Sequence, residues 1–189
     1  MNSILRSFKR LFLVYLGAIA GVSALSFYIV SLAVEPSSEQ KYGIIIDGNK
    51  IQFDNDRLPF DETIKKVTIQ NIQSVDLGIF ISAQSRTSDY DVLLVSKSAY
   101  ESHQYSYSLL PLTSEKLDET IPAHSSDYLV TEEVIYGFKV TEHLQSFAEE
   151  DLQDDYYLSF FVNSVHAGPL KSDSLTNQSI RFANWLLQK

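Results

Sequence analysis

The sequence has no cysteine, and glycine is scarce, with seven residues in 189. Without cysteine the chain forms no disulfide, offers no thiolate to a metal and has no cysteine nucleophile. The glycines are scattered, and none belongs to a glycine-rich loop of the kind that cradles phosphate. These absences exclude disulfide scaffolds and argue against nucleotide binding.

Basic residues are also few, since 15 Lys and Arg stand against 24 Asp and Glu, for a net charge of −9. Only Arg6, Lys9 and Arg10 precede position 35, so residues 35–189 hold 12 basic and 24 acidic residues and carry a net charge of −12. Such an acidic body repels phosphate backbones. We therefore expect no nucleic-acid partner, whereas a basic protein surface would be attracted.

One long uncharged run is present, residues 11–34, LFLVYLGAIAGVSALSFYIVSLAV. At about 1.5 Å per residue, a helix of this length exceeds the roughly 30 Å hydrocarbon core of a bilayer. The run predicts an uncleaved transmembrane helix that acts as a signal anchor. The alternative is a cleaved signal peptide, with Val22-Ser23-Ala24 as the cleavage site.

The flanks of the run predict its orientation, because basic residues precede it while Glu35 and Glu39 follow it. By the positive-inside rule, residues 1–10 are cytoplasmic. Residues 35–40, EPSSEQ, predict a short linker, and residues 41–189 an extracytoplasmic domain. The expected localisation is the cell membrane, with a single pass.

Small residues lie at helical spacing within the run. Gly17 and Gly21 are four apart, and Ala20 and Ala24 form a second pair beside them. Small residues at this spacing let a second helix approach closely. We therefore expect the protein to associate with a protein partner, or with copies of itself, partly through this helix.

The body of the chain is rich in strand patterns. Asp47-Gly48 stands between two β-branched runs and predicts a hairpin turn. In VDLGIFIS, the residues Val75, Leu77, Ile79 and Ile81 alternate with their neighbours, which predicts a half-buried strand. Further strands are expected at 92–95, where the apolar run is continuous, and at 134–140 and 156–162, where apolar residues alternate.

Two segments have helical spacing, 141–152 and 177–189, and the second fits a final strand equally well. Many short strands, few helices and no visible βαβ order predict a mainly β fold. The expected architecture is an N-terminal transmembrane helix followed by one antiparallel β-sandwich, jelly-roll-like, with one or two short helices.

The order of motifs over 65–168 resembles that of small exported β-sandwiches of the pre-peptidase C-terminal and Golgi-dynamics (GOLD) types. The resemblance is carried by SVDLGIFIS, DYDVLLVSKSAYES, YSYSLL, IYGFKV and DYYLSFFVNS. The last motif departs from those families, because it lacks the acidic residue that usually precedes the Asn. The resemblance implies a non-catalytic accessory or recognition module and transfers no functional residue.

No motif for catalysis or metal binding stands out. The four histidines lie on different predicted segments, and the acidic run 149–155 lacks the ligand spacing of a calcium loop. No serine lies in a Gly-x-Ser-x-Gly or Ser-x-x-Lys pattern. We therefore expect no metal, no cofactor and no enzymatic activity.

Aromatic side chains suggest a partner surface. Tyr100, Tyr105 and Tyr107 follow a predicted central strand, and Asn163 and His166 follow another. Tyrosines combine an apolar ring with a polar tip and are common in interfaces. The sequence predicts a membrane-anchored accessory protein that binds another protein. The alternative is an envelope ligand-binding or sensing module in which an aromatic loop patch contacts glycans or small molecules.

Overall fold

The computed structural model describes residues 2–84, 89–102 and 106–189, and the side chains of these residues except 2–11, 13, 31–34 and 84. The chain divides into two compact units, Met1–Pro36 and Ser37–Lys189.

The first unit contains helix α1, Asn2–Val34, which has 33 residues. Its described side chains, Phe12 and the 17 of residues 14–30, are all exposed. A span needs about 20 consecutive apolar residues, and over the described residues no helix is long and apolar enough to cross a membrane. The prediction of a transmembrane helix is therefore wrong for the residues that the structure describes.

The second unit is built on one six-stranded sheet, in the order β2-β1-β3-β6-β5-β4. Strand β1 pairs in parallel with both β2 and β3, and the remaining neighbours pair antiparallel. The strands are β1 Lys41–Asp47, β2 Lys66–Ile72, β3 Val92–Ser96, β4 Tyr128–Thr131, β5 Val134–Lys139 and β6 Tyr156–Phe160.

Helices cover both faces of this sheet. They are α2 Ser74–Gln84, α3 Lys97–Ser102, α4 Ser114–Thr120, α5 Thr141–Leu144 and α6 Gln178–Leu186. Ile44 and Ile46 of β1 pack with Leu117 of α4 and Phe182 of α6 in one core cluster. Ile45, on the other face, packs with Leu77 of α2 in a second cluster. The sheet is therefore the middle of three layers.

The predicted mainly β sandwich is wrong, because the protein is an α/β fold with a single mixed sheet. β2, α2 and β3 form the βαβ order that the sequence pattern concealed, with β1 lying between the two strands. Strands that run in the same direction require a crossover connection, and α2 is the crossover from β2 to β3, both of which pair in parallel with β1. The sandwich implied by the family resemblance is therefore not the observed architecture.

The largest local error concerns residues 74–84, which form helix α2 and not a strand. Leu77 and Ile81 are fully buried, whereas Val75 and Ile79 are 72% and 76% exposed. Burial four residues apart is helical, while a strand would have buried all four alternating residues on one face. The segment is apolar enough to satisfy either period, so tertiary contacts selected the helix.

The hairpin predicted at Asp47-Gly48 is also wrong, since β1 ends at Asp47 and pairs with β2 only in parallel. Gly48 does adopt a positive φ of 80°, and its backbone N–H donates to Ile72 O at 2.7 Å. Gly48 is therefore a turn residue, as predicted, but the turn leads into the long connection between β1 and β2.

Three strand predictions are confirmed, at β3, β5 and β6. All residues of β3 and β6 are buried, because both strands lie inside the sheet with helices on either side. The C-terminal segment, for which helix and strand were equally possible, is helix α6. The helix expected at 141–152 is confirmed only in its first turns, α5 and the following 3-10 turn Gln145–Phe147.

Candidate functional site

A groove of about 430 Å³ opens between α3 and the edge strand β4. Its wall on the helix side comes from Lys97, Tyr100 and Glu101, and Tyr157 of β6 also lines it. The remaining lining residues are Ser106, Tyr128, Leu129, Val130 and Thr131. We call this surface the tyrosine groove, because three of its nine lining residues are tyrosines.

Each tyrosine hydroxyl of the groove has a fixed partner. Tyr100 OH shares a hydrogen bond of 2.9 Å with Thr131 Oγ1, which joins α3 to β4 across the groove. Tyr157 OH donates to Asp127 Oδ1 at 3.2 Å, and Tyr128 OH lies 2.8 Å from His124 Nε2. The Tyr128 ring stacks on His124 and packs with the first core cluster, on the other face of the sheet, whereas Tyr100 and Tyr157 belong to the second cluster. The rings of Tyr100 and Tyr157 are therefore held in place before any ligand arrives.

The tyrosines of the groove stay neutral over the physiological pH range. Burial, reinforced by the nearby Asp127 carboxylate, raises the pKa of Tyr157 to about 12. Burial likewise raises the pKa of Tyr100 and, with the Asp118 carboxylate as a second cause, that of Tyr128. Desolvation disfavours the charged phenolate, and the negative neighbours act in the same direction.

The charges of the groove lie on its rim. Lys97 and Glu101 are exposed and four residues apart on α3, so both side chains lie on one face of that helix. The groove thus combines a neutral aromatic surface with one cation and one anion. This chemistry suits an apolar or aromatic group that carries polar or charged neighbours.

Among the residues predicted as a partner surface, the four that the structure describes do not line one common site. Tyr100 lines the groove and is 7% exposed. Tyr107 is 61% exposed, and its OH lies 2.8 Å from Ser82 Oγ. Tyr105 is outside the described residues. Asn163 is half-buried in the turn after β6, and His166 is fully buried.

His166 belongs to a polar cluster at the amino-terminal ends of β1 and β3. Asp91 precedes β3, and its carboxylate accepts from Gly43 N at 2.9 Å and from Ser164 Oγ at 2.7 Å. The His166 ring lies 2.7 Å from Lys41 O through Nε2 and hydrogen-bonds Thr176 through Nδ1. Burial raises the pKa of Asp91 to about 6, although the nearby His166 acts in the opposite direction.

A second buried carboxylate, Asp47, lies at the carboxyl end of β1. It accepts from Ser74 Oγ at 2.6 Å, from Ser96 N at 3.2 Å and also from the Ser96 hydroxyl. Ser74 begins α2 and Ser96 ends β3, so the Asp47 carboxylate links the start of α2 and the end of β3 to the end of β1. Ligands often bind at this edge of open α/β sheets, but here the carboxylate oxygens already accept hydrogen bonds from the protein.

The small residues of α1 are exposed. A Cβ added at Gly17 or at Gly21 would meet nothing within 4 Å, and Ala20 and Ala24 are exposed as well. Among the described residues no group of three acidic or histidine side chains could hold a metal ion.

Sequence reasoning missed Lys97, Glu101, Tyr128 and Tyr157 as groove residues. The alternation of β6 places Tyr157 on the face opposite to Tyr156, which was a usable signal. Nothing in the sequence indicates that β4 lies near α3, because the two are about 30 residues apart and do not pair with each other. Only the sheet order brings them to one surface.

In comparisons with known proteins, no family model, no curated protein and no solved structure matches this chain.

Proposed function

We propose that the globular unit Ser37–Lys189 is an accessory or recognition module that binds another protein through the tyrosine groove. The observation that carries the proposal is the groove itself, with the rings of Tyr100 and Tyr157 fixed by hydrogen bonds and a charged rim at Lys97 and Glu101. Binding is tightest where aromatic anchors are buried at the centre of a contact and their conformations are fixed beforehand.

The charges support a partner with a definite pattern. An aromatic or aliphatic side chain of the partner fills the groove, an acidic group meets Lys97 and a basic group meets Glu101. The net charge of −9 attracts a partner whose surrounding surface is basic.

A photo-crosslinking residue in place of Val130 tests the contact. Val130 lines the groove and is 52% exposed, and the same residue in place of Leu175, which is 59% exposed and outside the groove, is the matched control. We expect a discrete crosslinked species from position 130 and none from position 175.

Two substitutions made in the position-130 crosslinking protein should abolish that species. Lys97→Glu reverses a rim charge, and Tyr100→Ala removes an aromatic ring that lines the groove. Loss of an interface hot spot costs at least about 2 kcal/mol, which corresponds to about a thirtyfold weaker complex. Lys116→Glu makes the same charge reversal on exposed α4 and should leave the yield unchanged. Equal crosslinking in all three variants would remove the groove from consideration.

A second function is favoured by the size of the groove. Small-molecule sites are clefts of about 300–1,000 Å³, and the groove measures about 430 Å³. The alternative ligand is therefore a glycan or small metabolite stacked on the tyrosine rings. Thermal-shift measurements with cell-wall oligosaccharides distinguish the two functions. A stabilisation present in the natural chain and absent in Tyr100→Ala would favour the small ligand over the protein partner.

A further inference from the structure

The two outer strands of the sheet differ in how they meet solvent. β4, at one edge, has only four residues, a register irregularity between Leu129 and Val130, and the left-handed residues Glu132 and Glu133 directly after it. Short length, a bulge and charges are the features by which proteins prevent an edge strand from pairing with another chain.

β2, at the other edge, lacks these protective features, apart from the charge on its first residue. It has seven residues, KVTIQNI, with an unbroken register to β1 and no proline. Lys66 is its one charged residue. None of its residues is fully buried, whereas six of the seven residues of β1 are. Over the described residues no strand pairs with its outer side.

We propose that two copies of this chain pair through β2, antiparallel and across a two-fold axis at Ile69, so that the two sheets join into one. An antiparallel pair of identical edges is the arrangement that closes on itself as a dimer, while pairing β2 with β4 of the next copy would propagate into a fibre. Pairing of strand edges gives affinity through main-chain hydrogen bonds, and side chains fix the register.

This register is self-complementary. With Ile69 opposite its own copy, Thr68 faces Gln70, Val67 faces Asn71 and Lys66 faces Ile72. The backbone positions of the two Lys66 residues are about 20 Å apart, since six residues separate them along strands that rise about 3.3 Å per residue. Like charges directly opposite each other weaken a cross-strand pair, and this register places no like charges opposite each other.

The surface beside β2 has room for the second copy. A cavity of about 600 Å³ runs along Val67, Thr68, Ile69 and Asn71 of the strand. Its other wall is formed by Asn49, Gln52, Phe53 and Asn55, which are neutral. The partner's Val67 and Ile69 would enter this cavity, where side-chain amides are available to polar neighbours.

Net charge sets the expected salt dependence. Each chain carries −9, so two copies repel each other at long range while the strand contact itself is almost uncharged. Raising the ionic strength from about 0.01 M to about 1 M shortens the Debye length from about 30 Å to about 3 Å and screens that repulsion. The dimer should therefore strengthen as salt is added.

The absence of cysteine allows a direct test. In Ile69→Cys each new thiol lies opposite its copy, where Cβ atoms are about 4.5–5.5 Å apart and within reach of a short dithiol crosslinker. Lys66→Cys places a thiol on the same strand but about 20 Å from its copy in the proposed register. We expect the full-length Ile69→Cys protein to become mostly covalent dimer and the Lys66→Cys protein to stay monomeric on non-reducing gels.

A second variant measures the non-covalent dimer. Thr68→Lys adds a charge to the pairing edge, and Leu175→Lys adds the same charge to an exposed site outside the strand. By native mass spectrometry the first should lose at least tenfold in dimer and the second should match the natural chain. A natural chain that is monomeric at every salt concentration, a dimer that persists in Thr68→Lys, or equal crosslinking at positions 66 and 69 would each overturn the proposal.

Discussion

At the scale of single residues, the buried pair Asp91 and His166 shows what a polar group does inside this fold. Both are at most 1% exposed. The carboxylate accepts from the backbone of β1 at Gly43, and the imidazole bonds the carbonyl of Lys41. Gly43 is required there, because a Cβ would lie 2.1 Å from Asp89 O. The cluster therefore fixes the loop before β3 against β1.

The raised pKa of Asp91 predicts a pH dependence of stability. Because the folded pKa is about 6 and the ordinary value is 3.8, the unfolded chain releases this proton more easily than the folded chain. The contribution is therefore fully present below about pH 4 and is lost as the pH rises through 6, by roughly 3 kcal/mol for a shift of this size. His166, Asp89 and Tyr42 are the titratable groups that interact with it.

Chemical denaturation of the natural chain and of Asp91→Asn over pH 4–8 measures this contribution. An Asn amide can still accept from Gly43 N and can donate to Ser164 Oγ, but it carries no charge. We expect the variant to lose less stability than the natural chain as the pH rises. Asp173→Asn, at a 73% exposed position, should follow the natural chain, and parallel curves for all three proteins would contradict the assignment.

At the scale of elements, α2 shows why a short apolar segment misleads. In SVDLGIFISAQ the apolar residues fit a period of two as well as a period of 3.6. The helix is selected by contacts that are distant in sequence, with Leu77 and Ile81 packing against Ile45 and Leu93 in the second core cluster. Ser74, the first residue of α2, donates to Asp47 and fixes where the helix begins.

Alanine substitutions along α2 separate helix from strand energetically. Leu77→Ala should destabilise the fold by about 2–5 kcal/mol, because it removes a fully buried side chain. Ile79→Ala should change stability by less than about 0.5 kcal/mol, because that side chain is 76% exposed. A strand in this segment would make the two losses similar. Urea unfolding curves of the two variants decide between these outcomes.

At the scale of the whole molecule, both core clusters lie within Ser37–Lys189. The sheet and the helices that cover it also belong to that unit. Cooperative unfolding depends on such a core and not on chain outside it.

A protein comprising residues 37–189 is therefore expected to fold alone. Its thermal unfolding midpoint should agree with that of the full chain within a few degrees, as measured by circular dichroism. A loss of cooperativity in the shortened protein would show that residues before position 37 contribute to the fold.

The sequence by itself determined the acidic surface, the absence of thiol chemistry and three of the strands. β3, β5 and β6 are predictable because a continuous apolar run or strict alternation specifies burial locally. Tyr100 was identified as an aromatic residue beyond a central strand, and it does line the groove.

Only the tertiary structure decided the rest. The parallel pairing of β1, the helical state of α2 and the approach of α3 to β4 depend on partners distant in the chain, and local patterns carry no information about partners. No sequence pattern marks His166 as buried, and it is fully buried because distant parts of the chain, at Lys41 and Asp91, lie close to it in the fold. The groove exists for the same reason, since only the tertiary structure brings Tyr100 of α3 and Tyr157 of β6 beside the edge strand β4.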